Sequence, residues 1–134
     1  MPTFPVMPSP NRSNQILVVD DEPFIAQLVA DMLSAEGYSV DTAANGLAAL
    51  RQIDEHAYDL ILSDLRMPHL DGLALYRELE WRRPELLRRM IFVSGTVEQP
   101  EYQKFLEETG VPVLPKPFDL DELRRLAAQL LSPP

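Results

Sequence analysis

Five side chains define the chemistry that this sequence can support: Asp20 and Asp21 in "ILVVDDEP", Asp64 in "LILSDLRMP", Ser94 in "IFVSGT" and Lys116 in "LPKPF". Each closes or directly follows a short apolar run. Like charges at the end of a buried segment repel, and a folded chain keeps them together at small cost only if they are solvated, share a proton or bind a cation. Three carboxylates offer hard oxygen ligands suited to a small divalent ion such as Mg2+, which keeps several waters and takes few protein ligands. An aspartate carboxylate can also act as a nucleophile and become an aspartyl phosphate. Phosphoryl transfer then needs its charge neutralised, which an ion on one side and a lysine on the other accomplish. Asp64 suits the nucleophile, because the adjacent pair is better placed to hold metal from one side, and Ser94 can donate a hydrogen bond to a phosphoryl oxygen.

Taken singly, each of these residues has a plainer reading. An Asp pair after a strand is usually a turn or a helix cap, and a lone lysine is usually a surface charge. Asp71 before Gly72 reads as a turn and helix start, and His56 and His69 lack partner ligands at useful spacing and read as solvent-facing. Function is decided by whether the fold brings the five groups to one place.

The elements that would do so are legible. Short apolar runs predict strands at 16–20, 38–43, 58–63, 90–94 and 111–114. The first, third and fourth are almost continuous in Val, Ile, Leu and Phe, as strands covered on both faces must be. The second alternates and the fifth contains Pro112, which marks both as edges. Helices are predicted from Pro23 to a stop at Gly37, from Asn45 as cap to Glu55, from Gly72 to Arg82, from Pro100 to Thr109, and from Asp119 onward. The first should bury Ile25, Leu28, Val29, Met32 and Leu33, and the last Leu123, Leu126, Ala127 and Leu130. The fourth is mostly polar and should be the least firmly packed.

Strict β/α alternation implies an α/β fold: a doubly wound, five-stranded parallel sheet of order 2-1-3-4-5, flavodoxin-like, with helices on both faces. Ligands in such sheets sit outside the carboxyl ends of the strands. Those ends carry Asp20, Asp21, Asp64, Ser94 and, through Pro115, Lys116.

Composition bounds the remaining options. The 134 residues suit one domain, and 46% hydrophobic with 25% charged residues is ordinary for a globular chain. A net charge of -9, from 21 acidic against 12 basic residues, opposes direct binding to nucleic acid or anionic membranes. No cysteine is present, which excludes disulfides and thiolate metal sites. No apolar run is long enough to span a membrane. Residues 1–15 carry four prolines without the features of a signal peptide and read as a proline-rich lead or linker. Residues 132–134 form a short tail. The basic stretch "WRRPELLRR" reads as a helix terminus with cations near the negative end of its dipole.

The segments "VVDDEP", "LILSDLRMPHLDG", "FVSGT" and "LPKPF", in this order and with 22 residues from Ser94 to Lys116, resemble the receiver domains of two-component response regulators. The resemblance runs over residues 16–131. It implies Asp64 as phosphoacceptor, Asp21 as a direct Mg2+ ligand, Asp20 as a ligand through water, and the backbone carbonyl of Arg66 as a further ligand. It also implies Ser94 as the switch hydroxyl, Lys116 as the phosphate-pairing lysine and a cis bond before Pro117. The phosphodonor would be a sensor histidine kinase or a histidine phosphotransfer protein. The location would be cytoplasmic and a homodimer is compatible with the family. Such a domain is not an enzyme in the ordinary sense, since it catalyses only its own aspartyl phosphorylation and dephosphorylation. Val113 stands where many members carry Tyr or Phe, so no large ring is available there to report activation. Arg66 and Thr96 occupy the variable positions that influence dephosphorylation in this family.

Two other classes compete. An interaction module with this fold would have no use for Asp64 and Lys116. A phosphatase with an Asp nucleophile usually needs a second carboxylate two residues on, where this chain has Arg66. Flavin binding would need a Ser/Thr/Gly-rich phosphate loop after the first strand. With only the short tail after Leu131 in this sequence, a free-standing regulator and a receiver from a hybrid kinase are both expected solutions.

Overall fold

A computed structural model describes residues 14–95 and 98–131. The proline-rich lead up to residue 13, the tail and Thr96 lie outside the described residues. Alternation is complete: β1 (Gln15–Val19), α1 (Pro23–Ala35), β2 (Ser39–Ala43), α2 (Gly46–Glu55), β3 (Leu60–Ser63), α3 (Gly72–Arg82), a 3-10 turn of helix (Pro84–Arg89), β4 (Met90–Ser94), α4 (Pro100–Thr109), β5 (Val113–Pro115) and α5 (Leu120–Leu131). The strands are all parallel and ordered β2-β1-β3-β4-β5.

Each central strand is apolar but for one terminal residue, Gln15, Ser63 or Ser94, because its two faces feed two cores. Ile16 and Val18 of β1, Leu60 and Leu62 of β3, and Ile91 and Val93 of β4 pack with α1 and α5. Their alternates Leu17, Val19, Ile61, Met90 and Phe92 pack with α2, α3 and α4. Side chains alternate across a strand, so a strand buried on both sides shows no polar period.

Helix boundaries follow local chemistry. The Asn45 side chain accepts from the Ala48 N–H and Asp71 from the Ala74 N–H, capping α2 and α3. The Asp119 carboxylate accepts from the Asp121 N–H at the start of α5. At the other end of α4, Gly110 takes a left-handed φ of 71°, which lets its N–H close on Leu106.

Several edges differ from the sequence expectation. β3 begins at Leu60 rather than 58: the Asp59 N–H donates to the Gln15 carbonyl at 2.7 Å, but the Gln15 N–H is taken by the Asp59 carboxylate instead of a backbone carbonyl, and Tyr58 lies ahead of the strand with its hydroxyl on Asp41. β5 starts two residues later and ends one later than expected and excludes Pro112, whose carbonyl accepts from the Phe92 N–H where no donor is required of it. On α1 the buried face is Ala26, Val29, Ala30 and Leu33, with Ile25 and Met32 half-buried, while Leu28 is exposed. The small alanines let α1 lie close to the sheet and turn Leu28 outward. After α3 the stretch expected to be a bare terminus forms the 3-10 segment, started by Pro84 and held by buried Leu86. Finally, α4 is better anchored than expected, since Tyr102 and Phe105 are both buried and Phe105 meets Tyr76 and Phe92 edge to face.

Candidate functional site

Parallel register builds the site. Val19 pairs with Ser63, so the next residues, Asp20 and Asp64, stand side by side, and the Asp64 N–H donates to the Val19 carbonyl at 3.0 Å. Ser94 pairs with Pro115, and the Lys116 N–H donates to the Ser94 carbonyl at 3.0 Å. The chain leaving Asp64 is clamped by close approach. Gly72 donates to the Leu65 carbonyl at 2.7 Å, and a Cβ on Gly72 would lie 2.4 Å from the Asp64 carbonyl oxygen. Only glycine lets α3 begin this near the strand end.

At the centre stands Lys116. Its Nζ lies 3.0 Å from Asp20 Oδ2, 3.0 Å from Asp64 Oδ2 and 3.3 Å from Glu22 Oε1, so three carboxylates can take its three donors. The other oxygens of the two aspartates accept backbone N–H groups, Asp20 from Glu22 at 2.9 Å and Asp64 from Arg66 at 3.3 Å. Burial raises the Asp20 carboxyl above the ordinary aspartate range, against the lowering effect of the Glu22 N–H and Lys116. For Lys116 burial acts to lower the ammonium, but hydrogen bonds to Asp20 and Asp64 and their charges outweigh it and hold the group above the usual lysine range. The two partners are thus governed by different effects: desolvation dominates the nearly inaccessible Asp20, and ion pairing dominates Lys116, which keeps partial contact with water.

Ligand atoms of Asp20, Asp21, Glu22 and Asp64 all lie within 4.8 Å of one another. Asp20 and Asp64 are buried, while Asp21 and Glu22 are exposed. This all-oxygen donor set, with two anionic groups open to water, fits Mg2+, which retains part of its hydration. The cluster borders an open cavity of about 580 Å³, lined in part by Asp21, Glu22, Asp64, Arg66, Ser94 and Lys116.

The candidate metal, phosphoacceptor and switch residues read from the sequence are therefore together at this rim: Asp20, Asp21, Asp64, Arg66, Ser94 and Lys116. Ser94 is fully buried and lines the cavity. Lys116 and Pro117 are joined by a cis bond, as expected. Met67 and Pro68 form the cavity wall after Asp64, and Phe118 packs against the α1/α5 core. Asp71 is a helix cap and both histidines are exposed, as their plainer readings require. Val113 packs against the α2/α3/α4 core without a ring.

Sequence reasoning missed two participants. Glu22 was visible only as a third acid beside Asp20 and Asp21, and its pairing with Lys116 spans 94 residues. Tyr102 of α4 donates to Asp71 Oδ2 at 3.4 Å, tying that helix to the loop that follows Asp64. Nothing in the local sequence signals that contact.

A doubly wound sheet with an acidic cluster, a lysine and a serine at the carboxyl ends of its strands is the arrangement of a receiver-type signalling domain. A model of the response regulator receiver domain matches residues 16–128. The chain belongs to that family, whose members serve two-component systems. It is 35% identical over 128 residues to the sensor histidine kinase RcsC of Salmonella typhi, an alignment covering 96% of this chain but 13% of RcsC. Among solved structures it is similar to the response regulator TrrA of Thermotoga maritima in complex with Mg(2+)-BeF, at 34% identity and a TM-score of 0.76, covering 88% of this chain and 99% of that one. It is also similar to the receiver domain of the sensor histidine kinase PA1611 of Pseudomonas aeruginosa, which has a magnesium ion coordinated in its active site cleft. There identity is 30% and the TM-score 0.77, with coverage of 89% and 98%.

Proposed function

We propose that this chain is the phosphoacceptor of a two-component phosphorelay and takes a phosphoryl group onto Asp64 from a phosphohistidine on a sensor kinase or phosphotransfer protein. An Asp64 oxygen attacks phosphorus, the phosphorus–nitrogen bond to the donor imidazole breaks, and an aspartyl phosphate forms. The observation that carries this reading is the Asp64 carboxylate, buried at the cavity wall with Lys116 Nζ 3.0 Å away. Lys116 is positioned to follow charge from the carboxylate to the phosphoryl oxygens. Ser94 borders the same cavity and supplies a hydroxyl for a phosphoryl oxygen. Asp20, Asp21, Asp64 and the Arg66 carbonyl are the groups that would hold Mg2+, which when bound would supply charge neutralisation for phosphoryl transfer.

The functional unit in this reading is 16–131, preceded by a linker-like lead, and its place of action is the cytoplasm. Among the described residues no helix is long and apolar enough to cross a membrane. The resemblance to RcsC favours a receiver associated with a hybrid kinase as much as a free-standing regulator. Its cognate donor is then a kinase or phosphotransfer domain, with homodimerisation compatible. The test is incubation with acetyl phosphate and Mg2+, read by intact mass. Wild type gains one phosphoryl mass and Asp64→Asn gains none. A wild-type protein that stays unmodified under saturating Mg2+ both with acetyl phosphate and with a phosphohistidine protein donor sinks the reading in favour of a phosphate-independent interaction module.

A further inference from the structure

Glu22 is the one member of the acidic cluster committed to Lys116 from the solvent side. It is the N-cap residue of α1, yet its carboxylate makes no capping hydrogen bond. The side chain turns instead toward Lys116 Nζ, 3.3 Å away, and lines the cavity through which Asp64 is reached. Its side chain is 60% exposed, against 6% and 8% for Asp20 and Asp64. Of the three carboxylates on the ammonium, Glu22 has the longest contact and the readiest access to water. It is the one that can let go at least cost when a phosphoryl group needs a donor.

The charges facing the entrance add a second effect. Asp20, Asp21, Glu22 and Asp64 stand against Lys116 and Arg66, a balance of four negative to two positive that one Mg2+ brings to neutrality. Without Glu22 the Mg2+-loaded entrance would carry one positive charge. An incoming phosphate anion must pass the exposed carboxylates of Asp21 and Glu22 that line the cavity, and it must also take from Glu22 a share of the lysine.

From this geometry we propose that Glu22 is a specificity-determining gate that disfavours phosphorylation of Asp64 by small anionic phosphodonors such as acyl phosphates. The inference rests on the phosphoacceptor reading above. A small anion has little beyond its phosphoryl group with which to offset the repulsion, whereas a protein donor brings binding energy from contacts remote from the reacting atoms. The gate thus biases the site toward docked protein donors without altering the chemistry at Asp64.

The experiment measures the rate of phosphoryl mass gain from acetyl phosphate for the full chain and for Glu22→Gln and Glu22→Asp, each at its own saturating Mg2+ concentration. Glu22→Gln should react about three- to tenfold faster at low ionic strength, the size expected for removing one solvent-exposed charge beside a dianion. That advantage should shrink toward unity at about 0.5 M salt, where the Debye length is only about 4 Å. Glu22→Asp keeps the charge and should stay within about twofold of wild type. A Glu22→Gln rate equal to or below wild type at low salt overturns the gate alone, as does a salt-independent gain or an equal gain in Glu22→Asp. Modification of Glu22→Gln with none of wild type supports the gate in its strongest form, whereas failure of wild type and both variants alike to gain phosphoryl mass overturns both the gate and the reading on which it rests.

Discussion

The Lys116 ammonium lies 3.0 Å from Asp64 Oδ2, bridging 52 residues of sequence at the carboxyl edge of the sheet. With Asp20 at the same distance, one cation holds together two carboxylates that would otherwise be buried without compensation. Removing one partner of a buried pair costs more than the pair contributes, because the remaining charge stays desolvated. Lys116→Met should therefore lower metal-free stability, by about 1–3 kcal/mol, less than for a fully enclosed pair because the lysine retains solvent contact. Mg2+ supplies the missing cation, so the rise in thermal midpoint on adding Mg2+ should be larger in the variant than in wild type. Melting curves with and without Mg2+ check this. Equal Mg2+ effects in both proteins would mean that ammonium and metal do not share these carboxylates.

A second ion-dependent contact sits at the opposite end of the sheet. The buried Tyr58 hydroxyl donates to Asp41 Oδ2 at 2.7 Å, joining the entry to β3 with edge strand β2. Burial, then the hydrogen bond and charge of Asp41, raise the Tyr58 phenol above its ordinary range. A raised folded-state value means that its stabilising contribution is complete below the unfolded pKa, near 10, and is lost as pH rises through the folded one. Tyr58→Phe should cost about 1–2 kcal/mol near neutral pH. The gap from wild type should narrow above about pH 10. Urea unfolding at pH 7 and pH 10.5 measures it, and a gap that widens on the alkaline side would show the opposite linkage.

The order of the sheet and the main residues of the rim could be read from the sequence for one reason. In a parallel sheet buried on both faces, an apolar run and the polar residue ending it report strand and strand end together. Asp20, Asp64, Ser94 and Lys116 all sit at such ends, and parallel register then makes them neighbours. Glu22 and Tyr102 escaped because their partners are set by side-chain reach across unrelated elements, which no local period encodes. The outward turn of Leu28 was hidden for a related reason: an apolar residue at helical spacing fits the core face until alanines bring the helix in close. The stretch around Pro84 reads as a helix terminus, although a proline that ends one helix can equally occupy the first turn of a 3-10 segment.

How a phosphoryl group on Asp64 would be reported elsewhere turns on Ser94. This residue closes β4, lies wholly out of solvent, lines the cavity, and its carbonyl holds the Lys116 N–H. Two positions earlier on the same strand, Phe92 meets Phe105 of α4 with ring centroids 5.7 Å apart. Phe105 also packs against Tyr76, and Tyr102 reaches Asp71. Helix α4 is therefore coupled to the strand carrying Ser94 and to the loop leaving Asp64, and Val113 offers no ring to carry the message through β5. A signal needs two loop states that contact the phosphoryl group differently. Ser94→Ala removes the hydroxyl that distinguishes them while sparing Asp64 and Lys116. Phosphorylation by acetyl phosphate should persist in the variant, and the phosphorylation-dependent changes in backbone amide shifts of residues 98–109 should fall well below those of wild type. Equal shift changes in the two proteins would exclude transmission through Ser94 and leave the Tyr102–Asp71 contact as the route to α4.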